Sequence, residues 1–246
     1  MKVAEYLSSG HFRDKLLSRK NLIHFKPLLL CENKTSAKAF IAASRSKMSL
    51  LKPEFYQRPT EIVARELLGK RFVCTSGGQK VSGWIVETEA YLAEGDSACH
   101  SVRGKTKSNA SMFLPGGHAY VYPIHSRWCV NVVCGEPDRG TAVLIRAVQP
   151  EQGHQVMKRR RATVDEKALT SGPGKLCEAF EITRKQDGLP LTTRRRIWID
   201  SLDTLPIKSR QIVKTPRIGV TSAEQMLLRF ALRNNPFVSG PKKWRT

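Results

Sequence analysis

Apolar residues along this chain come in short runs divided by Gly-, Ser- and charge-rich stretches, and the runs predict its elements. Thr60 is placed to cap a helix from Glu61 to Leu68, which Gly69 ends. Arg71 to Cys74 and Val81 to Thr88 read as two strands around a Ser-Gly-Gly turn. A polar loop follows over residues 93–112. Pro115-Gly116-Gly117 then turns the chain into A-Y-V-Y-P, I-H-S-R and W-C-V-N-V-V-C, a hairpin pattern with Ile124 to Arg127 at its tip. Thr141 to Val148 is another strand, residues 151–170 read as a basic helix, and S-G-P-G-K-L-C-E-A-F opens a further one. No internal repeat occurs. The sum is an α+β fold, a single mixed domain over residues 48–246.

Within this pattern one run is out of place. W-I-V-E-T-E-A-Y puts Glu87 and Glu89 directly after an apolar stretch that reads as a buried strand. Ionised carboxylates are costly to bury, so two of them there need partners or a purpose. Side chains alternate along a strand, which predicts Glu87, Glu89 and Tyr91 on one face and Trp84, Val86 and Thr88 on the other. Two readings stay open: an acid/base pair acting on a C1–heteroatom bond, or two structural carboxylates paired with arginine.

Charge changes the picture next. The 246 residues carry 42 Lys and Arg against 21 Asp and Glu, a formal charge of +21. Such an excess favours a polyanionic partner. No apolar run approaches the ~18 residues of a membrane span, so no membrane partner is expected. Residues 1–47 hold ten Lys and Arg against three Asp and Glu and only one short apolar patch. They read as a disordered basic extension, a targeting segment or an upstream start artefact. The six cysteines form no C-x-x-C pair, which points to reduced, buried thiols.

Several further side chains are candidates. Tyr91, His100, Tyr120 and Tyr122 are rings on which a base can stack, although Tyr is common in strands. Asn131 is polar inside W-C-V-N-V-V-C and needs a hydrogen-bond partner, either core backbone or a ligand edge. Arg146 in V-L-I-R-A-V is a charge in an apolar run, and pairing with a strand glutamate would bring it beside Glu87 or Glu89. Ser171-Gly-Pro-Gly-Lys175 lacks the full phosphate-loop spacing. A helix N-terminus carrying Lys175 could still grip one backbone phosphate.

Taken together, V-E-T-E-A-Y-L, A-C-H-S, M-F-L-P-G-G-H-A-Y-V-Y, C-V-N-V-V, L-I-R-A-V-Q-P and S-G-P-G-K-L-C resemble the alkyladenine (3-methyladenine) DNA glycosylase family. The resemblance runs in order from about Phe55 to Gly240. It implies a curved, mainly antiparallel sheet with a protruding β-hairpin that inserts into DNA. It further implies a monofunctional enzyme that flips damaged purines out of duplex DNA and hydrolyses the base–sugar bond in base excision repair. Glu89 matches the general base; Arg146 and the backbone carbonyl of Val238 match groups that hold its water. Tyr91 and His100 on one side and Tyr122 on the other would sandwich the base, and a cationic alkylated purine gains cation–π attraction there. Asn131 matches the position that rejects the 2-amino group of guanine. Glu87 becomes structural. Neither cofactor nor metal is expected, and the protein is expected to act on double-stranded DNA as a monomer. It would work in the cytoplasm or nucleoid of a bacterium, or in the nucleus or mitochondrion of a eukaryote. One departure stands out: at the hairpin tip, where the best-known members carry a wedging Tyr, this chain has His125. A basic DNA- or RNA-binding protein without catalysis is the rival reading.

Overall fold

The computed structural model describes residues 49–201 and 207–240, all within the unit Arg45–Thr246. The expected basic extension, residues 1–47, lies outside them. Among the described residues nine strands form one sheet in which every pairing is antiparallel. The strands are β1 (Ser49–Leu50), β2 (Arg71–Ser76), β3 (Gln79–Tyr91), β4 (Ala119–Ile124), β5 (Arg127–Cys134), β6 (Thr141–Gln152), β7 (Ile197–Ser201), β8 (Ile212–Thr215) and β9 (Arg229–Leu232). Their order is β1-β7-β2-β3-β6-β5-β4, with β9 on β3 and β8 on β9. The sheet is a curled half-barrel.

The long strand β3 organises everything else. Its first half pairs with β2 and its second half with β9, while β6 runs along its other edge from Ser82 to Tyr91. Gly83 permits this close pairing, since a Cβ there would meet the Gln149 carbonyl oxygen at 2.6 Å. Register shifts between Ile85 and Thr88 mark a bulge in the β3–β6 ladder. The bulge interrupts strict alternation. Glu87, Glu89 and Tyr91 share a side as expected, but Val86 and Thr88 part company. Val86 packs with Ala147, Ala231 and Val238, whereas Thr88 Oγ1 donates to the Ala64 carbonyl.

Helices cover one face of the sheet: α1 (Pro53–Tyr56), α2 (Thr60–Glu66), α3 (His154–Arg161) and α4 (Pro173–Phe180). The main core is the apolar layer between them, with Phe72 stacked on Phe180 at 5.4 Å. Thr60 proves to be the first helical residue rather than the cap, which is Pro59. The basic helix is also shorter than expected. Strand β6 runs on to Gln152, and Ala162 takes a left-handed φ of 47° that stops α3. Five of the six cysteines lie among the described residues, all buried and unpaired.

Candidate active site

Beside the β4–β5 hairpin the sheet opens into a cleft of about 940 Å³. That is the upper end of the ~300–1,000 Å³ typical of ligand pockets. Three walls surround it. The loop after β3 gives His100, Val102 and Asn109; the β4–β5 hairpin gives Tyr120, Tyr122, Ile124 and His125; the segment before β9 gives Ile218 and Gly219. Tyr91 and Arg146, from the sheet itself, also line the cleft. A second, smaller cleft of about 400 Å³, beside Gln57 and Glu94, contains none of these groups.

Both glutamates of β3 are fully buried behind this surface. Arg146 joins them, its Nε donating to Glu87 Oε1 at 3.1 Å and its Nη1 to Glu89 Oε2 at 3.2 Å. Glu87 is saturated. Its Oε1 also accepts from Arg229 Nε at 2.7 Å and Ser239 Oγ at 2.9 Å, and its Oε2 from the Ser239 amide at 2.7 Å. Burial pushes the Glu87 pKa up, but Arg146, Arg229 and the Ser239 donors outweigh it and hold the carboxyl below its ordinary value. Burial likewise disfavours the Arg146 charge, and Glu89 and Glu87 overcome it, so the guanidinium stays protonated.

Glu89 has a different set of partners. Its Oε2 accepts from Tyr91 Oη at 3.0 Å as well as from Arg146, and its Oε1 from the Ile218 amide at 2.8 Å. Tyr91, Arg146 and Ile218 all line the cleft, so the carboxylate sits directly behind its floor. Burial, and then the Glu89 charge, raise the Tyr91 pKa far above the ordinary phenol value, which keeps it a hydrogen-bond donor. The carbonyl that Arg146 reaches is that of Ile218, at 3.5 Å.

The aromatic rings cluster. His100 shares a hydrogen bond of 2.8 Å with Tyr120 Oη, and burial lowers its pKa, favouring the neutral ring. Tyr120 and Tyr122 stack at 5.3 Å. The His100 and Tyr122 rings meet edge to face with centroids 4.5 Å apart, so a purine could lie between them only if they parted. Asn131, buried, donates through Nδ2 to the Tyr120 carbonyl at 3.0 Å, and it is not among the residues of the cleft wall. Val238 is buried next to Ser239, with its carbonyl accepting from Ser171 Oγ at 3.4 Å. Lys175 is exposed in the first turn of α4, whose Pro173 lines the cleft.

The hairpin closes in two residues, fewer than the four expected. Ile124 pairs with Arg127, and His125 and Ser126 take positive φ values of 45° and 62°. This is the sense of turn that suits the right-handed twist of two-residue hairpins, here built without glycine. His125 is exposed at its end.

The structure adds residues that pattern reading did not single out. Arg229 and Ser239 complete the Glu87 knot, Ile218 supplies backbone to Glu89 and Arg146, and Asp96 with Arg217 forms a buried pair beside Tyr91. Arg229 carried a signal, being a charge within the apolar run L-L-R-F-A-L. Ile218 carried none, because its part is played by backbone.

A chain from Rhodopirellula baltica bearing the name "Putative 3-methyladenine DNA glycosylase" is 44% identical over 195 residues, covering 77% of this chain and 83% of its own. One of the same name from Carboxydothermus hydrogenoformans is 43% identical over 191 residues, covering 77% and 98%. Another from Methanoculleus marisnigri is 44% identical over 186 residues, covering 75% and 96%. The profile of the methylpurine-DNA glycosylase (MPG) family matches residues 54–236, and the chain belongs to that family of N-glycosyl hydrolases.

Proposed function

We propose that the protein is a monofunctional DNA glycosylase that takes a damaged purine out of the duplex and hydrolyses its N-glycosyl bond, leaving an abasic site. The observation that carries this reading is Glu89, a buried carboxylate held at the cleft floor by Tyr91, Arg146 and the Ile218 amide. Its Oε1 accepts one hydrogen bond, which leaves a lone pair for a water. That water attacks C1′ of the deoxyribose while its proton passes to Glu89. The C1′–N bond breaks and its electron pair leaves with the purine. Positive charge that builds on the sugar lies near the carboxylate, which stabilises it.

The target base must leave the stack before this can happen, at a cost of a few kcal/mol. Tyr91, His100 and Tyr122 receive it, the last two parting to admit it. A purine alkylated on nitrogen is cationic and is already a good leaving group. Hypoxanthine and etheno-adenine are neutral and need a proton from solvent. Asn131 discriminates against the guanine 2-amino group, and the Val238 carbonyl assists in holding the water. His125 fills the gap left in the stack, and Lys175 grips a backbone phosphate. A formal charge of +21 suits a polyanionic substrate.

The test is direct. Duplexes carrying 3-methyladenine, hypoxanthine or etheno-adenine are incubated with the protein and then treated with an abasic-site endonuclease to cut the abasic sites. Cleavage at the lesion with wild type, lost with Glu89→Gln, supports the reading. Binding without cleavage on all three overturns it in favour of a non-catalytic binder.

A further inference from the structure

Asp96 and Arg217 form a fully enclosed ion pair beside the cleft. Arg217 Nη1 and Nη2 each donate to Asp96 at 2.6 Å, and both side chains are shut off from solvent. Arg217 Nη1 also donates to the Ala90 carbonyl at 3.0 Å, and its guanidinium carbon lies 4.6 Å from the centre of the Tyr91 ring. Tyr91 lines the cleft and Arg217 does not, so the ring stands between the guanidinium and the space a base would occupy. Asp96 in turn accepts from the Leu92 and Ala98 amides at 3.0 and 3.1 Å, fixing the start of the loop that carries His100.

The pair therefore ties together three parts of the site. Arg217 is covalently next to Ile218, whose amide donates to Glu89 Oε1, and it backs Tyr91, whose hydroxyl donates to Glu89 Oε2. It also has an electrical consequence. A cation on one face of an aromatic ring draws on the same electron density that would attract a cationic base on the other face. Left uncompensated, Arg217 would repel such a base through the ring. Asp96, held ionised by the Arg217 and backbone donors despite burial, cancels that charge.

We propose that the Asp96–Arg217 pair is a specificity-determining element: its neutrality behind Tyr91 lets the pocket accept a cationic alkylated purine as readily as a neutral one. The inference rests on the glycosylase reading above. It concerns charge as well as shape, and charge makes a prediction that loosening does not. Asp96→Asn leaves Arg217 an uncompensated cation behind the ring. Arg217→Met leaves Asp96 an anion that keeps its Leu92 and Ala98 donors. The two substitutions shift lesion preference in opposite directions.

The experiment measures single-turnover excision by the full chain on duplexes bearing cationic 3-methyladenine or neutral hypoxanthine, with thermal melts to establish folding. Asp96→Asn is expected to lower the 3-methyladenine-to-hypoxanthine rate ratio by on the order of tenfold, as expected for two charges separated by one ring. Arg217→Met is expected to raise that ratio, whatever it does to the absolute rates. Either variant alone suffices if the other fails to fold, since the sign of each shift is fixed in advance. Equal losses on both lesions, or shifts of the same sign, overturn the inference while leaving the glycosylase reading intact. Wild type that excises neither lesion overturns the glycosylase reading itself, and the pair's proposed role falls with it.

Discussion

Glu87 and Glu89 lie on one strand, share one side, and are bridged by one arginine, yet their surroundings differ in kind. Around Glu87 two guanidiniums and both donors of Ser239 surround the carboxylate, joining β3, β6, β9 and the segment after β9. Around Glu89 the partners are a phenol, one guanidinium and a single backbone amide, and all three belong to residues that border the cleft. The first region joins strands of the sheet; the second lies directly behind the cleft. The difference lies in where the donors come from, since the two side chains are chemically identical.

The comparison is broken most severely at Glu89. Glu89→Gln keeps an acceptor for Ile218 and removes the base, so single-turnover excision should fall by at least ~10²–10⁴-fold, and the folded fraction should bind lesion DNA while melting lower than wild type because Arg146 loses one of its two counter-charges. A near-normal rate in rapid-quench assays would place the base elsewhere. Glu87→Gln should show the converse. It strands Arg146 and Arg229 with one fewer counter-charge, a loss of about 3–5 kcal/mol in denaturant titrations, with a smaller effect on the chemistry of the folded fraction.

Acid sharpens the same contrast. Glu87 is held below its ordinary pKa in the folded protein, so its stabilising contribution is complete above the unfolded value of ~4.3. It is lost as pH falls through the lower, folded value. Melting followed from pH 6 downward should therefore show wild type losing stability over that window, and Glu87→Gln should lack this component of the loss.

Smaller effects are expected at the rim. His125→Ala should lower excision from a fully paired duplex by roughly tenfold, ~1.4 kcal/mol, and by less where the lesion is already unpaired. Equal defects on paired and bulged substrates would deny it the wedge role. The mildest change is at the chain start. A protein beginning at Met48 keeps β1 and Leu51 and should melt as wild type, with non-specific DNA binding less dependent on salt because the removed residues carry ten Lys and Arg against three Asp and Glu. One beginning at Pro53 loses the β1–β7 pairing and buried Leu51, and should melt lower.

Much of this was legible in the chain itself. Apolar runs and turn residues set the strands and the hairpin, because side-chain period and glycine placement act over a few residues. The buried carboxylates announced themselves against their apolar neighbours, and Arg146 was expected beside them because a charge in an apolar run must find its opposite. Tertiary structure alone decided the rest. The bulge that separates Val86 from Thr88 arises from the pairing of β3 with β6, which no local pattern specifies. The division of labour between Glu87 and Glu89 depends on Ser239, Arg229 and Ile218, more than 120 residues further along. The Asp96–Arg217 pair likewise joins two loops 121 residues apart. Hydrogen-bond partners over such distances follow from how the sheet curls, because donors separated in sequence meet only when the strands that carry them are paired.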